Sequence, residues 1–375
     1  MTTALPSLDE LLTQDLDYIA SQLREEFGRI AGKSLLITGG AGFLGYYLIQ
    51  AALHFNKRAD SVSRIRLTVY DNFKRGTPAW LTALQTDPNL RVEHHDVTQP
   101  LPEDVDDFQF IIHAAGIASP TYYRKYPLQT IDANIHGLRN LLDYCVRQGD
   151  RGEPVESLLF FSSSEIYGDP VPEAIPTPEE YRGNVSCTGP RACYDESKRF
   201  GETLCVTFAR QYGVSVKMAR PFNNYGPGLK ITDGRVLPDF AREVLNGRDI
   251  VMYSDGSPTR TFCYSADAIT GYYKVLVKGH PGEAYNIGIE RPEISMAELA
   301  DRVIATARDL FGYGGKRVRK ESAEADYLVD NPNRRCPLIK KARNHLGYNP
   351  SILVDEGLRR SLIWYHYNRE AEETR

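Results

Sequence analysis

Short, almost wholly apolar runs alternate with longer amphipathic stretches over the first 220 residues of the chain. Runs at 34–38 (SLLIT), 65–70, 92–94, 110–113, 158–162 and 214–219 have the length and apolar content of buried strands. Helical spacing fills 46–55 and 127–147 between them. Buried strands alternating with helices predict βαβ units, hence an α/β fold with a doubly wound parallel sheet covered on both faces. Ahead of this, Leu8, Leu11, Leu12, Leu16, Ile19 and Leu23 recur at helical spacing. Residues 1–32 therefore read as a helical extension, packed on the domain or on a partner subunit. Beyond Arg220 the regularity loosens into turn-rich passages at 223–232 and 253–260, with helices expected at 236–246, 296–310 and 354–364. Residues 33–221 are thus expected to form the nucleotide-binding domain. Residues 222–375 are expected to form mainly a smaller, irregular α/β substrate lobe, from which 263–276 can return to the larger one.

Composition narrows the function. Of 375 residues 42% are hydrophobic and 25% charged, which are globular proportions. Lys plus Arg number 45 against 49 Asp plus Glu, so no clustered positive field favours nucleic acid or an anionic membrane as partner. No run approaches the roughly 18 apolar residues of a spanning helix, and Asp9 and Glu10 argue against a signal peptide. Six cysteines without a CxxC pair read as reduced thiols in a cytoplasmic protein. Eight histidines without HExxH, only His94 and His95 being adjacent, predict no metal site.

The first predicted strand runs into Gly39-Gly40-Ala41-Gly42-Phe43-Leu44-Gly45, and a helix follows. Gly39, Gly42 and Gly45 allow a tight turn and close helix–strand packing, with a pyrophosphate over the helix N-terminus. Asp71 ends the second strand 26 residues after Gly45, followed by Asn72. Its carboxylate suits a ribose diol and repels a 2′-phosphate, so a Rossmann-type fold binding NAD is expected. Lys74 and Arg75 nearby leave NADP open. Asp96 and Val97 follow the third strand, where the adenine edge would lie. Ala114 lies in the small-residue end of the fourth strand, where the cofactor can approach the backbone.

Tyr194 and Lys198 lie four apart on one helical face. An ammonium beside a phenol favours phenolate, which would make Tyr194 a general base for a substrate hydroxyl. Such a pair alone is common on exposed helices. Ser162-Ser163-Ser164-Glu165, at the carboxyl edge of the fifth strand, gives it a site, because ligands bind there in open parallel sheets.

With these motifs in place, the chain resembles the extended short-chain dehydrogenase/reductase enzymes that act on nucleotide sugars. The resemblance covers about 33–366 and rests on TGGAGFLG (38–45), YDN (70–72), HDV (95–97), HAA (113–115), SSSEIYGDP (162–170), YDESK (194–198) and RPFNNYGP (220–227). Within that family it is most similar to the UDP-glucuronate decarboxylases (UDP-xylose synthases), through ASPTYYRKYP (118–127), GPRACYDESKR (189–199), DGRVLPDF (233–240), DGSPTRTFCY (255–264) and NPNRRCPLIKKARNHLGYNP (331–350). It departs in carrying Ser163 where threonine is usual, and in enlarged loops at 56–64 and 148–156.

The resemblance implies roles. Ser163 would hydrogen-bond the oxygen being oxidised, Tyr194 would take its proton, and Lys198 would tune Tyr194 and hold the nicotinamide ribose. Glu165 would be a catalytic or positioning carboxylate, and Ser164 stands where sugar 4,6-dehydratases carry an aspartic acid. Arg260 would meet the sugar carboxylate or diphosphate and Arg235 the diphosphate, beside Asn223. Tyr253 would stack on uracil, and Arg191 would lie on the substrate side. The expected reaction is NAD-dependent decarboxylation of UDP-glucuronate through a 4-keto sugar. A 4-epimerase, a 4,6-dehydratase and a non-catalytic NAD sensor are the alternatives, and a homodimer built on the helices at 127–147 and 194–212 is implied.

Overall fold

The computed structural model describes residues 5–103, 105–320 and 329–373, so the first four residues of the expected extension lie outside the described residues. Seven parallel strands form the central sheet: β1 (Ser34–Thr38), β2 (Arg66–Asp71), β3 (Leu90–His94), β4 (Phe110–His113), β5 (Ser157–Phe161), β6 (Val216–Pro221) and β11 (Ala284–Ile287). Their spatial order is β11-β6-β5-β4-β1-β2-β3. The order reverses between β1 and β4, which pair in parallel from Leu35 with Phe110 to Thr38 with His113. That reversal opens a crevice at the carboxyl edge of both strands, the place where doubly wound sheets bind ligands.

Helices α3 (Gly45–Asn56), α4 (Ala79–Leu84), α5 (Pro120–Lys125), α6 (Pro127–Asp150) and α7 (Ala192–Tyr212) connect these strands. Leu138, Leu141 and Leu142 of α6 pack with Leu158 and Phe160 of β5 and Cys205 and Phe208 of α7 to fill one face. The other face is closed by α3 and by α9 (Ser265–Lys278), an apolar helix with buried Ile269, Tyr272, Tyr273, Val275 and Leu276. Both α9 and β11 follow the loosened region after Arg220, so part of the later chain completes the sheet.

The remaining elements follow β6 in the chain and lie outside the central sheet. They are β7 (Asn224–Tyr225), α8 (Val236–Leu245), β8 (Ile250–Met252), β9 (Thr259–Thr261), β10 (Cys263–Tyr264), β12 (Glu293–Ser295), α10 (Met296–Phe311), β13 (Arg317–Arg319), β14 (Arg334–Arg335), α11 (Lys340–Leu346) and α12 (Val354–Glu373). They form small sheets of two or three strands, of which β12-β9-β14 is the largest.

The extension divides at Leu23 into α1 (Leu8–Gln22) and α2 (Arg24–Ile30). Its apolar side, with Leu11, Leu16, Ile19, Leu23, Phe27 and Ile30 buried, joins the core that holds α3 and α9. Of the two placements its sequence allowed, the structure takes packing on the chain's own domain. Among the described residues no helix is long and apolar enough to cross a membrane.

Candidate active site

The crevice at the sheet edge is a single cleft of about 1090 Å³, and every site residue anticipated above lines it. Its cofactor side is built on the turn after β1. Gly39 has φ +72°, and a Cβ there would stand 2.5 Å from the Ala115 backbone. One on Gly45 would stand 2.0 Å from the Gly40 carbonyl oxygen. Only glycine lets α3 start this close to β1 and Ala114 approach the turn. Asp71 accepts from the Ala41 N–H at 3.0 Å and the Phe73 N–H at 2.8 Å, which fixes its carboxylate beside the turn. Burial raises its pKa, and those amides oppose the rise.

Asp96 accepts from the Thr98 hydroxyl at 2.8 Å and from Asn72 at 3.2 Å, so Asn72 and Val97 flank an ordered loop. The two cations that left NADP open are both engaged. Lys74 pairs with Asp96 at 3.1 Å and Arg75 with Asp233 at 3.2 Å. Phe43 and Leu44 complete the floor where the turn enters α3. The glycine cradle and the Asp71 carboxylate together fit NAD.

The reacting side lies at the ends of β5 and α7. Lys198 is buried, donates to the Phe161 carbonyl at 2.7 Å and stands 5.8 Å from the centre of the Tyr194 ring. That ring stacks on Tyr123 with centroids 5.1 Å apart and planes 12° apart. Ser163 accepts from the Glu165 N–H at 3.1 Å. The structure reverses one electrostatic expectation. Burial pushes the Tyr194 phenol up to about 12, against its hydrogen bond with Ser163, and pushes the Lys198 ammonium down to about 7. Sequence spacing gives the proximity of the pair, but its desolvation depends on the whole cleft.

Glu165 is clamped by two guanidinium groups. Arg191 reaches one carboxylate oxygen, and Arg335 reaches the other at 2.5 Å while donating to Ser164 at 3.2 Å. Burial alone would raise its pKa, but Arg191 and Arg335 hold it well below the usual range. Arg191 thus anchors Glu165 from the substrate side of the cleft. Arg260 is also buried, yet its N–H groups go to backbone carbonyls of Thr259, Asn333 and Pro332. Among the described residues no carboxylate lies within ion-pairing distance of it. Asn223 ties this wall together by donating to the Thr261 carbonyl at 3.0 Å. Arg235 pairs with Asp233 at 3.0 Å, and Tyr253 stands partly exposed at the mouth.

Three residues were missed. Tyr123 and Arg335 lay unremarked inside quoted motifs, and Asp195 lay between Tyr194 and Lys198. Asp195 is buried, with one oxygen 3.6 Å from Arg191 and the other without a partner. Burial and then the Glu165 charge push its pKa up. When ionised it holds the Tyr194 proton on. Asp195→Asn is therefore expected to move the pH–rate profile towards acid by up to about one unit while keeping the plateau. A profile that stays in place, or moves towards alkali, rules out this influence.

The chain with this carboxyl-edge cleft, its glycine turn, buried Asp71 and Ser163–Tyr194–Lys198 cluster is similar to known proteins. The profile described as NAD dependent epimerase/dehydratase family matches residues 35–288. The chain belongs to that family. Its cofactor is NAD, as the family description states. UDP-glucuronic acid decarboxylase 3 of Arabidopsis thaliana is 37% identical over 324 residues, 86% of each chain. UDP-glucuronic acid decarboxylase 1 of Xenopus tropicalis is 37% identical over 345 residues, 91% of this chain and 73% of the relative. Among solved structures, a dTDP-glucose 4,6-dehydratase of Streptomyces venezuelae with NAD bound superposes with TM-score 0.75 at 25% identity, covering 90% of this chain and 98% of its own. An epimerase of Methanothermobacter thermautotrophicus gives TM-score 0.78 at 24% identity, covering 95% and 98%, and so shares the fold. One further polar cluster, His280, Glu283 and His345, lies outside this family's cleft, and Lys341 pairs with its Glu283 at 3.2 Å.

Proposed function

We propose that this family member decarboxylates UDP-glucuronate to UDP-xylose through a 4-keto sugar. The observation that carries the reading is Arg260, a buried cation on the cleft wall whose donors meet only carbonyls. Because an unpaired buried charge is costly, a guanidinium so placed favours an anionic substrate group. A sugar carboxylate meets that requirement, and the relatives' names supply the substrate.

Held over the glycine turn beside Asp71, NAD+ would supply the hydride acceptor for C4 oxidation and the donor for its reversal. Tyr194 takes the C4 hydroxyl proton while Ser163 holds the same oxygen. The keto sugar then carries its carboxylate β to the ketone, so CO2 leaves as the C5–C6 electrons enter the ketone as an enolate. The Ser163 and Tyr194 hydroxyls donate to that developing oxyanion. Protonation at C5 by water gives the 4-keto pentose, and return of the hydride to C4 with the Tyr194 proton to its oxygen gives UDP-xylose. Glu165, kept ionised by two arginines, orients the sugar by accepting hydrogen bonds. Ser164, bonded to Arg335, is not the acid that elimination of water calls for.

NMR of the pure protein with UDP-glucuronate and catalytic NAD+ tests this. Loss of the carboxylate with a new UDP-pentose is expected. UDP-galacturonate would instead make it an epimerase, and a 4-keto-6-deoxy sugar from dTDP-glucose a dehydratase. We further propose a cytoplasmic homodimer joined through α6 and α7. Exposed Leu128 and Phe200 on those helices, and six free thiols, support it. Sedimentation at the mass of one chain, or fractionation outside the cytoplasm, would overturn the respective part.

A further inference from the structure

Three loops that border the cleft converge on Asp233, and the proposed reaction leaves this convergence unused. Arg75 comes from the loop after β2, three residues past Asn72 on the cofactor side. Its guanidinium pairs with Asp233 at 3.2 Å and lies 4.5 Å from the Tyr122 ring centre. Lys230 donates to the Arg75 carbonyl at 2.7 Å, and the Ser119 hydroxyl donates to the Asp233 carbonyl at 2.6 Å. The loop after β2, the segment entering α5 and the loop preceding α8 are thereby stitched together. Asp233 is buried, so its carboxylate is a fixed point, whereas Arg75 is half-exposed and able to leave. Its other oxygen lies 3.0 Å from Arg235, on the substrate side of the same cleft.

We propose that Arg75, Tyr122 and Asp233 form a clasp that slows release of NAD, and that a substrate diphosphate tightens it by drawing Arg235 away from Asp233. One carboxylate serves two arginines, and each competes with the other for its charge. A diphosphate offers Arg235 a stronger, bidentate partner. Asp233 is then left to Arg75 alone, and the cofactor-side loop is held down. Where the slower release is expressed as tighter equilibrium binding, the coupling is reciprocal and NAD strengthens nucleotide binding by the same factor. The clasp suits a reaction that returns its hydride to the same sugar, because early release of the reduced cofactor would strand the keto sugar.

The second half rests on the nucleotide-sugar reading, and the test separates the two. NADH release is followed by fluorescence after a chase with excess NAD+, with and without saturating UDP. Arg75→Ala is expected to release NADH about tenfold faster, the loss of one charge-assisted contact, and Arg75→Lys to fall between. UDP should slow release from the native protein but not from Asp233→Asn. Native-like release from Arg75→Ala overturns the clasp, and equal slowing by UDP in Asp233→Asn overturns the coupling. The readout needs no turnover, so a failed decarboxylation assay leaves it interpretable. Native-like melting of Arg75→Ala shows that faster release is not unfolding.

Discussion

Tyr194→Phe should lower kcat by about 10³-fold or more while leaving the fold and NADH binding intact, because the change removes one oxygen from a ring that stays stacked on Tyr123. The size follows from the site. Burial pushes the phenol up, so the phenolate is scarce near neutral pH. Only the phenolate form of Tyr194 can take the C4 hydroxyl proton, so the rate should rise with pH as that form becomes more abundant. Neither the Ser163 hydroxyl nor ionised Glu165, held by Arg191 and Arg335, stands in the same place as a substitute base. Kinetics together with NADH fluorescence check this. A phenylalanine variant keeping more than about a tenth of kcat would remove Tyr194 from the proton path and leave the cleft a binding site.

What could be read in the sequence was what is local in it. The glycine turn, Asp71 at a strand end, Ser163 to Glu165 and the Tyr194–Lys198 spacing each complete their pattern within a few residues of one element. Their meeting in one cleft follows from the parallel sheet, which brings all carboxyl ends to the same edge. Arg335 escaped because its partner Glu165 is 170 residues away and β14 is two residues long. No sequence signal marked it, because adjacent Arg334 and Arg335 are the same residue type and only the fold buries the second. Asp195 escaped because it lies next to a stronger motif. The Tyr194 shift was misjudged because helical spacing reports neighbours but carries no information on burial. The extension was legible as a helix and illegible as to its place, since an amphipathic stripe specifies a partner surface without naming it.

That place leads to the largest expected effect on stability. Asp15 of α1 is fully buried and accepts from the Tyr47 hydroxyl, from the Tyr264 hydroxyl at 2.6 Å and from Arg360 at 2.5 Å, joining α1, α3, β10 and α12 at one carboxylate. Glu26 of α2 repeats the device with Lys274 at 3.2 Å and Lys278 at 2.8 Å. Asp15→Ala leaves the buried Tyr47 and Tyr264 hydroxyls and one Arg360 N–H without their acceptor, although Arg360 keeps Glu356 at 2.7 Å. Breaking such a buried pair costs about 3–5 kcal/mol, a large share of the roughly 5–15 kcal/mol that holds a domain folded. Asp15→Asn, which keeps the shape and one acceptor, should cost less. Urea unfolding measures both, and a loss below about 1 kcal/mol for alanine would make the extension an appendage. The consequence reaches function through Tyr47, which lies in the first turn of the helix that Gly45 begins. Loosening the start of α3 disturbs the glycine turn that lines the cleft, so NADH affinity should fall with stability in Asp15→Ala, although Asp15 does not line the cleft. A destabilised variant that bound NADH as tightly as the native chain would show that the extension supports the core without setting the turn.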